Sequence, residues 1–319
     1  MTKVSFVVTV FNKEEYLPLV IRSLDSQIGD FEREYVFVDD GSTDGSVDVI
    51  KECTKDAGFE VKIVRQVNQG ASVAHDAGVE AATGEWIKFC DGDDLLAPDA
   101  TRNLLNACER HGTEHAWGDL EYFEFGGDKD PLDRPTGELP EDYQSIDDGL
   151  SFFIRNCPAN STSMLIGRAF YLRAGGCNKA LVSPDQMLFL RLFRTGAGVH
   201  LKGAVGLLPD AAPGRLSSQK GRSRYESVLA LYTVMTEAPG VSKRHQAEAY
   251  RRAIARAYRF DRRNHSRTVS GHLWRYLESK VRVPANPESR VYAALGAFTE
   301  DGSTERPENW KPSAIRKVS

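Results

Sequence analysis

Carboxylates crowd two short stretches of this sequence. Asp91-Gly92-Asp93-Asp94 offers three within four residues, around a glycine that permits a tight turn. Hard oxygen donors at this density suit Mg2+ or Mn2+, cations that keep some waters and complete their shell with substrate phosphates. The same residues could instead cap the helix that Pro98 and Asp99 would begin. Asp39-Asp40-Gly41-Ser42-Thr43-Asp44 reads equally as a turn whose Asx and Ser/Thr side chains bond their own backbone. Thr9-Val10-Phe11-Asn12 adds a hydroxyl, an aromatic ring and an amide. Asp185 opens a helical pattern, where a carboxylate also suits the macrodipole.

The elements that must position these groups follow from periodicity. Val4–Val10 is a short apolar run of the kind buried on both faces of a parallel sheet. Glu14–Ile28 carries Leu17, Val20, Ile21, Leu24 and Ile28 at helical spacing. Tyr35–Val38, Glu60–Arg65 and Glu85–Cys90 read as further strands, separated by helices over Gly45–Ala57 and Ala71–Ala82. Repeated units of this length predict right-handed crossovers and an α/β domain with a parallel sheet. In such a sheet ligands bind beyond the carboxyl ends of the strands. Thr9–Asn12, Asp39–Asp44 and Asp91–Asp94 all sit at such ends, so the topology brings them to one edge.

Beyond residue 100 the pattern loosens. Gly126–Asp148 is rich in Pro, Gly, Asp and Glu and reads as an excursion. Ser161–Gly167 and Val199–Leu208 read as strands, with His200 a core histidine, and Asp185–Thr195 as a helix. Helices are expected over Ser223–Glu237, His245–Arg263 and Gly271–Val281, and a mobile tail from 284 to 319.

Composition limits the classes. At 319 residues, 41% apolar and 27% charged, the chain is too hydrophobic for disorder, and no apolar run is long enough to span a membrane. Val4–Val10 is interrupted by Ser5 and Thr9 and followed by Asn12-Lys13-Glu14-Glu15, unlike a signal peptide. Five scattered cysteines with no CxxC pairing suggest reduced thiols, so a cytoplasmic setting is expected. The net charge of −4 hides an asymmetry. Between Val241 and Arg282 stand 12 Lys and Arg against three acids, leaving the rest of the chain strongly acidic.

The combined pattern resembles the family 2 glycosyltransferases. The quotable blocks are Val4–Asn12, Val38–Asp44, Asn68-Gln69-Gly70-Ala71-Ser72-Val73-Ala74-His75-Asp76-Ala77-Gly78 and Ala82–Asp94, in order over residues 1–100. The resemblance implies a GT-A fold, a Rossmann-like, mainly parallel sheet flanked by helices, over 1–215. It assigns 1–100 to the nucleotide and 101–215 to the acceptor; a basic helical extension over 216–283 lies outside the resemblance. It implies an inverting transfer from a nucleotide-sugar donor, most simply UDP-linked, to a saccharide or lipid-linked saccharide acceptor, assisted by Mn2+ or Mg2+. Phe11 would lie against the base and Asp40 accept a base N–H, with Thr9, Asn12, Glu14, Asn68 and Gly70 completing the nucleotide set. Asp91 would approach the ribose and share a cation with Asp93, Asp94 being a further candidate ligand. Asp185 would be the base that deprotonates the acceptor hydroxyl, and Gly175-Gly176 the acceptor loop.

The sequence departs from the family's pattern in three places. Pro184 replaces an acid before Asp185, His75 stands where an arginine is common, and no histidine follows the last core strand. Arg215 lies in that last region and could contact the diphosphate through its forked guanidinium, or be a solvated loop residue. These departures keep a second reading open, a non-catalytic nucleotide-sugar-binding protein on the same fold. No GxGxxG follows the first strand, against a Rossmann dehydrogenase. In the basic segment Arg252, Arg256 and Arg259 recur at helical spacing. That face could lie on anionic lipid, giving peripheral membrane contact through 243–282, or be solvated or packed on the rest of the protein. No nucleic-acid partner is expected, because no RNA-binding strand motif appears.

Overall fold

The computed structural model describes residues 1–137, 142–210, 220–237, 241–264 and 270–298. The chain divides into two compact units. The first comprises 1–149, 158–185 and 195–213; the second comprises 150–157, 186–194 and 214 onward.

The first unit holds a nine-stranded sheet. In sequence its strands are β1 (Lys3–Val10), β2 (Glu32–Asp39), β3 (Glu60–Arg65), β4 (Trp86–Asp91), β5 (Leu95–Leu96), β6 (His115–Phe123), β7 (Tyr143–Ser145), β8 (Met164–Gly167) and β9 (Val199–Pro209). Their spatial order is β3-β2-β1-β4-β8-β6-β9-β5, with β7 on β9. The long ladders are parallel: β1 with β2 and β4, β2 with β3, and β6 with β9. Short antiparallel pairings insert β8 between β4 and β6. This is the expected α/β architecture, mainly parallel and covered by helices.

Alternation along β1 explains both layers. Phe6 and Val8 join Tyr35, Phe37 and Leu17, Val20, Ile21 and Leu24 of α1 (Leu17–Asp25) in one core. Val7 faces the other way, toward α3 (Ala71–Ala81), where a Cβ on Gly78 would come within 2.3 Å of Val7 Cγ1. A larger residue at 78 would lift α3 off the sheet. Each such buried aliphatic or aromatic side chain contributes about 1.5–3 kcal/mol. Helices α2 (Ser46–Thr54), α4 (Ala100–His111) and α6 (Arg168–Ala174) complete this unit. The excursion at 126–148 contains β7, and residues 138–141 lie outside the described part.

The second unit is helical. It contains α5 (Gly149–Arg155), α7 (Asp185–Thr195) from residue 186, α8 (Lys220–Thr236), α9 (Lys243–Asn264), α10 (Gly271–Val281) and α11 (Pro287–Ala294). Phe153 stacks on Phe189 with centroids 4.4 Å apart, and Phe260 packs on Phe298 at the same distance. Residues 287–298, expected to be part of a mobile tail, form a helix and a 3-10 turn with Val291 and Phe298 fully buried. Residues 299–319 lie outside the described part.

The arginines of α9 do not make one solvated stripe. Arg256 is turned inward, bonding Gln186 Oε1 at 3.0 Å and the Ser227 hydroxyl, and Arg252 reaches Asn156. Of the three arginines at helical spacing, Arg259 alone is exposed. A 22-residue helix packed by α8, α10 and α11 leaves little free circumference. Among the described residues no helix is long and apolar enough to cross a membrane.

Candidate active site

Ladder register sets the site. β1 is paired on both sides, so Val10 stands beside Asp39 and Thr9 beside Asp91. The chain then leaves each strand in the same direction: the Asp40 amide bonds Val10 O at 2.8 Å, and the Gly92 amide bonds Thr9 O at 2.9 Å. A Cβ on Gly92 would lie 2.8 Å from that same Thr9 oxygen, so this crossing requires glycine. The three clusters meet at one edge, as their positions in sequence imply.

The Asp39–Asp44 stretch is partly a self-bonded turn and partly a tether. Asp39 is buried and accepts the Ser42 amide (3.0 Å) and Arg65 Nε (3.1 Å). Asp44 accepts the Ser46 amide at 3.0 Å. Burial pushes its carboxyl up, and hydrogen bonds from Ser46 and the Glu14 amide overcome this and hold it below the usual range. Asp40 reaches away from the turn, to Gln66 Nε2 (2.7 Å) and to the amides of Gln69 and Gly70, each at 2.8 Å. Its carboxylate thereby anchors the Asn68-Gln69-Gly70 loop that opens α3.

Asn12 and Glu14, expected to contact nucleotide, direct their side chains at the second cluster. Asn12 sits at φ 52° and its Oδ1 accepts the Thr43 amide at 2.8 Å. Glu14 Oε2 accepts the Gly45 amide at 2.8 Å. The reason is local: the 42–45 loop presents free amides that need acceptors. Phe11, just before Asn12, is 44% exposed, and Asn68 is also exposed.

The Asp91–Asp94 turn resolves its own ambiguity. Helix α4 begins at Ala100, after β5, so these carboxylates do not cap it. Asp91 Oδ1 accepts the Thr9 hydroxyl at 3.2 Å and Ser161 Oγ at 3.5 Å. Asp93 Oδ2 lies 2.7 Å from Lys13 Nζ. Asp94 is fully buried, with Oδ2 accepting from Thr162 Oγ1 (2.8 Å) and Asn160 Nδ2 (3.3 Å). Asp91 and Asp93 are thus hard oxygen donors in an otherwise sparse set, which fits a cation that takes one or two carboxylates and draws the rest of its shell from waters and phosphate. Among the described residues no three His, Cys, Asp or Glu form a ready-made cage.

The 3-10 turn Ser161–Ser163 was not legible as such in the sequence, where it reads as the start of a strand. It bridges the clusters. Thr162 Oγ1 accepts the Asp91 amide at 3.1 Å while donating to Asp94. The Ser161 amide donates to Asp185 Oδ1 at 3.1 Å, and Ser183 Oγ to Asp185 Oδ2 at 3.2 Å. Beneath the turn, wholly buried Lys88 donates to Thr162 O at 2.5 Å and Phe89 O at 3.1 Å. Burial pushes its ammonium down to about 8. Asp185 therefore shares one backbone turn with Asp91 and Asp94.

Two histidines play no visible part in this edge. His75 is buried against Phe89, its Nδ1 2.7 Å from Ala71 O. His200 is half-buried, stacked on Trp117 and 2.9 Å from Asp119 Oδ1. Arg215 lies outside the described residues.

The model of the glycosyl transferase family 2 domain matches residues 5–173. An uncharacterized glycosyltransferase of Nostoc sp. is 34% identical over 146 residues, 45% of this chain and 45% of that protein. A poly(ribitol-phosphate) beta-glucosyltransferase of Bacillus spizizenii is 32% identical over 121 residues, 37% of this chain and 19% of its own length. The chain spans less than half the length of these curated relatives. Among solved structures, S. aureus TarS 1–349 in complex with UDP-GlcNAc has a TM-score of 0.66 at 16% identity, covering 93% of this chain and 89% of that one. A mannosyltransferase from Pyrobaculum calidifontis in complex with GDP-Man and Mn2+ has a TM-score of 0.58 at 15% identity, covering 92% and 85%. At these identities the likeness is one of fold.

Proposed function

The chain belongs to glycosyl transferase family 2, and on that premise we propose that it transfers a hexosyl or hexosaminyl group from a UDP-sugar to a hydroxyl of a saccharide or lipid-linked saccharide, with inversion at the anomeric carbon. The observation that carries this reading is the Ser161–Ser163 turn, which holds Asp185 on the same scaffold as Asp91. Support for the donor class comes from the UDP-GlcNAc and GDP-Man bound by structures of the same fold. Support for a surface-glycan acceptor comes from the poly(ribitol-phosphate) glucosyltransferase relative.

In this mechanism Phe11 covers the base and Asp40 holds the Asn68–Gly70 loop against it. Thr9 and Ser161 orient Asp91 toward the ribose. Asp93 and Asp91 would hold a divalent cation, which would supply positive charge against that developing on the departing nucleoside diphosphate. Asp94, enclosed by Thr162 and Asn160, serves to hold the turn. Asp185 accepts the proton of the acceptor hydroxyl as that oxygen attacks the anomeric carbon from the face opposite the diphosphate. Arg215 would add a contact to that diphosphate.

The test is incubation with UDP-, GDP- and dTDP-sugars, Mn2+ and a panel of glycosyl acceptors, with the product anomer read by NMR. An inverted glycoside from a UDP-sugar is expected, and a retained anomer refutes the mechanism. The alternative, a non-catalytic nucleotide-sugar-binding protein, draws on Pro184 standing where an acid is usual. Calorimetric binding of a UDP-sugar with neither transfer nor hydrolysis across the panel would establish it.

A further inference from the structure

Helix α10 presents an apolar face to solvent. Its inner side is settled: His272 and Ser279 are buried, and Tyr276 stacks on Tyr258 of α9 with centroids 4.8 Å apart. On the outside Trp274, Leu277 and Val281 are 65%, 45% and 85% exposed. Their spacing of three and four residues places them along one stripe. Among the described residues no other helix leaves more than one large hydrophobic side chain this open.

Cations frame the stripe. Lys280 and Arg282 sit beside Val281, Lys280 Nζ lying 5.1 Å from the Tyr276 ring centroid. Arg251 reaches across from α9 to donate to Ser279 O at 3.2 Å. Arg282 and Arg290 are exposed. Glu278, on the same helix as the stripe, is bound by Arg282 at 2.8 Å. Over 241–298 the sequence carries 13 Lys and Arg against four acids.

We propose that the Trp274-Leu277-Val281 stripe docks the second unit onto an anionic lipid surface, with Lys280 and Arg282 at its end meeting the headgroups. An in-plane helix needs an aromatic and aliphatic face to enter the headgroup boundary and a cationic rim to hold it there, and α10 has both. A tryptophan belongs at that depth, its ring apolar and its N–H hydrated. A second copy fits less well, because a two-fold interface would set these cations against themselves. Nucleic acid would use the cations but has no use for Leu277 and Val281. The inference is independent of the proposed reaction, since lipid binding is measured without turnover.

The test is co-sedimentation of the full chain with phosphatidylglycerol–phosphatidylcholine vesicles and with phosphatidylcholine alone. At least about tenfold stronger partition onto the anionic vesicles is expected, falling with added salt. Trp274→Ser, Leu277→Ser and Val281→Ser combined should lose about tenfold of that partition while leaving the circular dichroism unchanged. Trp274 emission, taken as wild type minus Trp274→Phe, should shift to the blue on binding. Equal partition onto both vesicles, or full binding by the triple variant, overturns the proposal. So does concentration-dependent dimerisation that the triple variant abolishes, which would assign the stripe to a second copy. Oligonucleotide binding lost in Lys280→Glu with Arg282→Glu, without anionic-vesicle binding, also overturns it.

Discussion

Lys13 Nζ and Asp93 Oδ2 are 2.7 Å apart, both side chains largely shielded from water. The ammonium is steered there by its own backbone, whose amide bonds Ser46 Oγ at 2.9 Å, and it lies 5.5 Å from the Tyr16 ring centroid. Lys13 thus occupies the approach a cation would take to Asp93. Lys13→Met should strengthen Mn2+ binding in the absence of nucleotide by about five- to tenfold, the equivalent of on the order of 1 kcal/mol. Titration calorimetry with MnCl2 measures it. Unchanged or weaker affinity would show that Lys13 does not compete with metal.

Asp185→Asn keeps an acceptor oxygen for the Ser161 amide and so preserves the turn. Loss of a general base lowers turnover by about 10²–10⁴-fold. UDP-sugar affinity, measured by calorimetry, should stay within about twofold, because in this mechanism Asp185 touches the acceptor only. A variant with wild-type turnover would remove Asp185 from the chemistry.

Thr162→Val is nearly isosteric but deletes the hydroxyl between Asp91 and Asp94. Leaving a buried carboxylate and amide short of a partner costs about 1–3 kcal/mol. Urea denaturation should show that loss, and turnover should fall with it. Thr162→Ser restores the hydroxyl and should recover both. A valine variant as stable and active as wild type would mean the bridge is incidental.

Glu34 supplies an acid-sensitive brace far from the site. It is buried on β2, bonded by Lys62 Nζ (2.7 Å), the Thr83 amide and hydroxyl (2.8 Å each) and the Ser5 hydroxyl. Burial raises its carboxyl, but these donors outweigh it and hold the pKa well below the ordinary 4.5. A folded-state pKa below the unfolded one means stability is present above pH 4.5 and drains away as pH falls further. Glu34→Gln should be less stable at neutral pH and should lose less stability between about pH 5 and pH 3. Denaturation midpoints across that range decide it, and parallel curves for the two proteins would contradict the assignment.

The edge on which chemistry collects was legible because the first hundred residues alternate cleanly, and strand ends follow from where apolar runs stop. Glu60–Arg65, Asp185–Thr195 and Gly271–Val281 match the expected limits for the same reason. Contacts made only by tertiary approach were not legible. A lysine between Asn12 and Glu14 looks solvent-facing until the Gly92 turn brings Asp93 to it. Ser161-Thr162-Ser163 reads as the start of a strand because it runs straight into the apolar Met164–Ile166, although Asn160 before it caps a turn whose Ser163 amide it accepts at 3.0 Å. The inward arginine Arg256 likewise depended on Gln186 and Ser227, distant in sequence.

β1 being clasped on both sides has a bearing on how this protein can vary. A one-residue insertion or deletion within Lys3–Val10 would slip its partnership with β2 and β4 together, turning Thr9 away from Asp91 and Val10 from Asp39 in the same step. Around Gly126, which follows β6, the described residues join no ladder and a side chain would meet nothing, so lengthening there costs mainly loop closure, about 0.6 kcal/mol per doubling. Changes of length should therefore accumulate there and be purged from β1, so a designer adding residues should insert them near Gly126 and keep the first ten residues in frame.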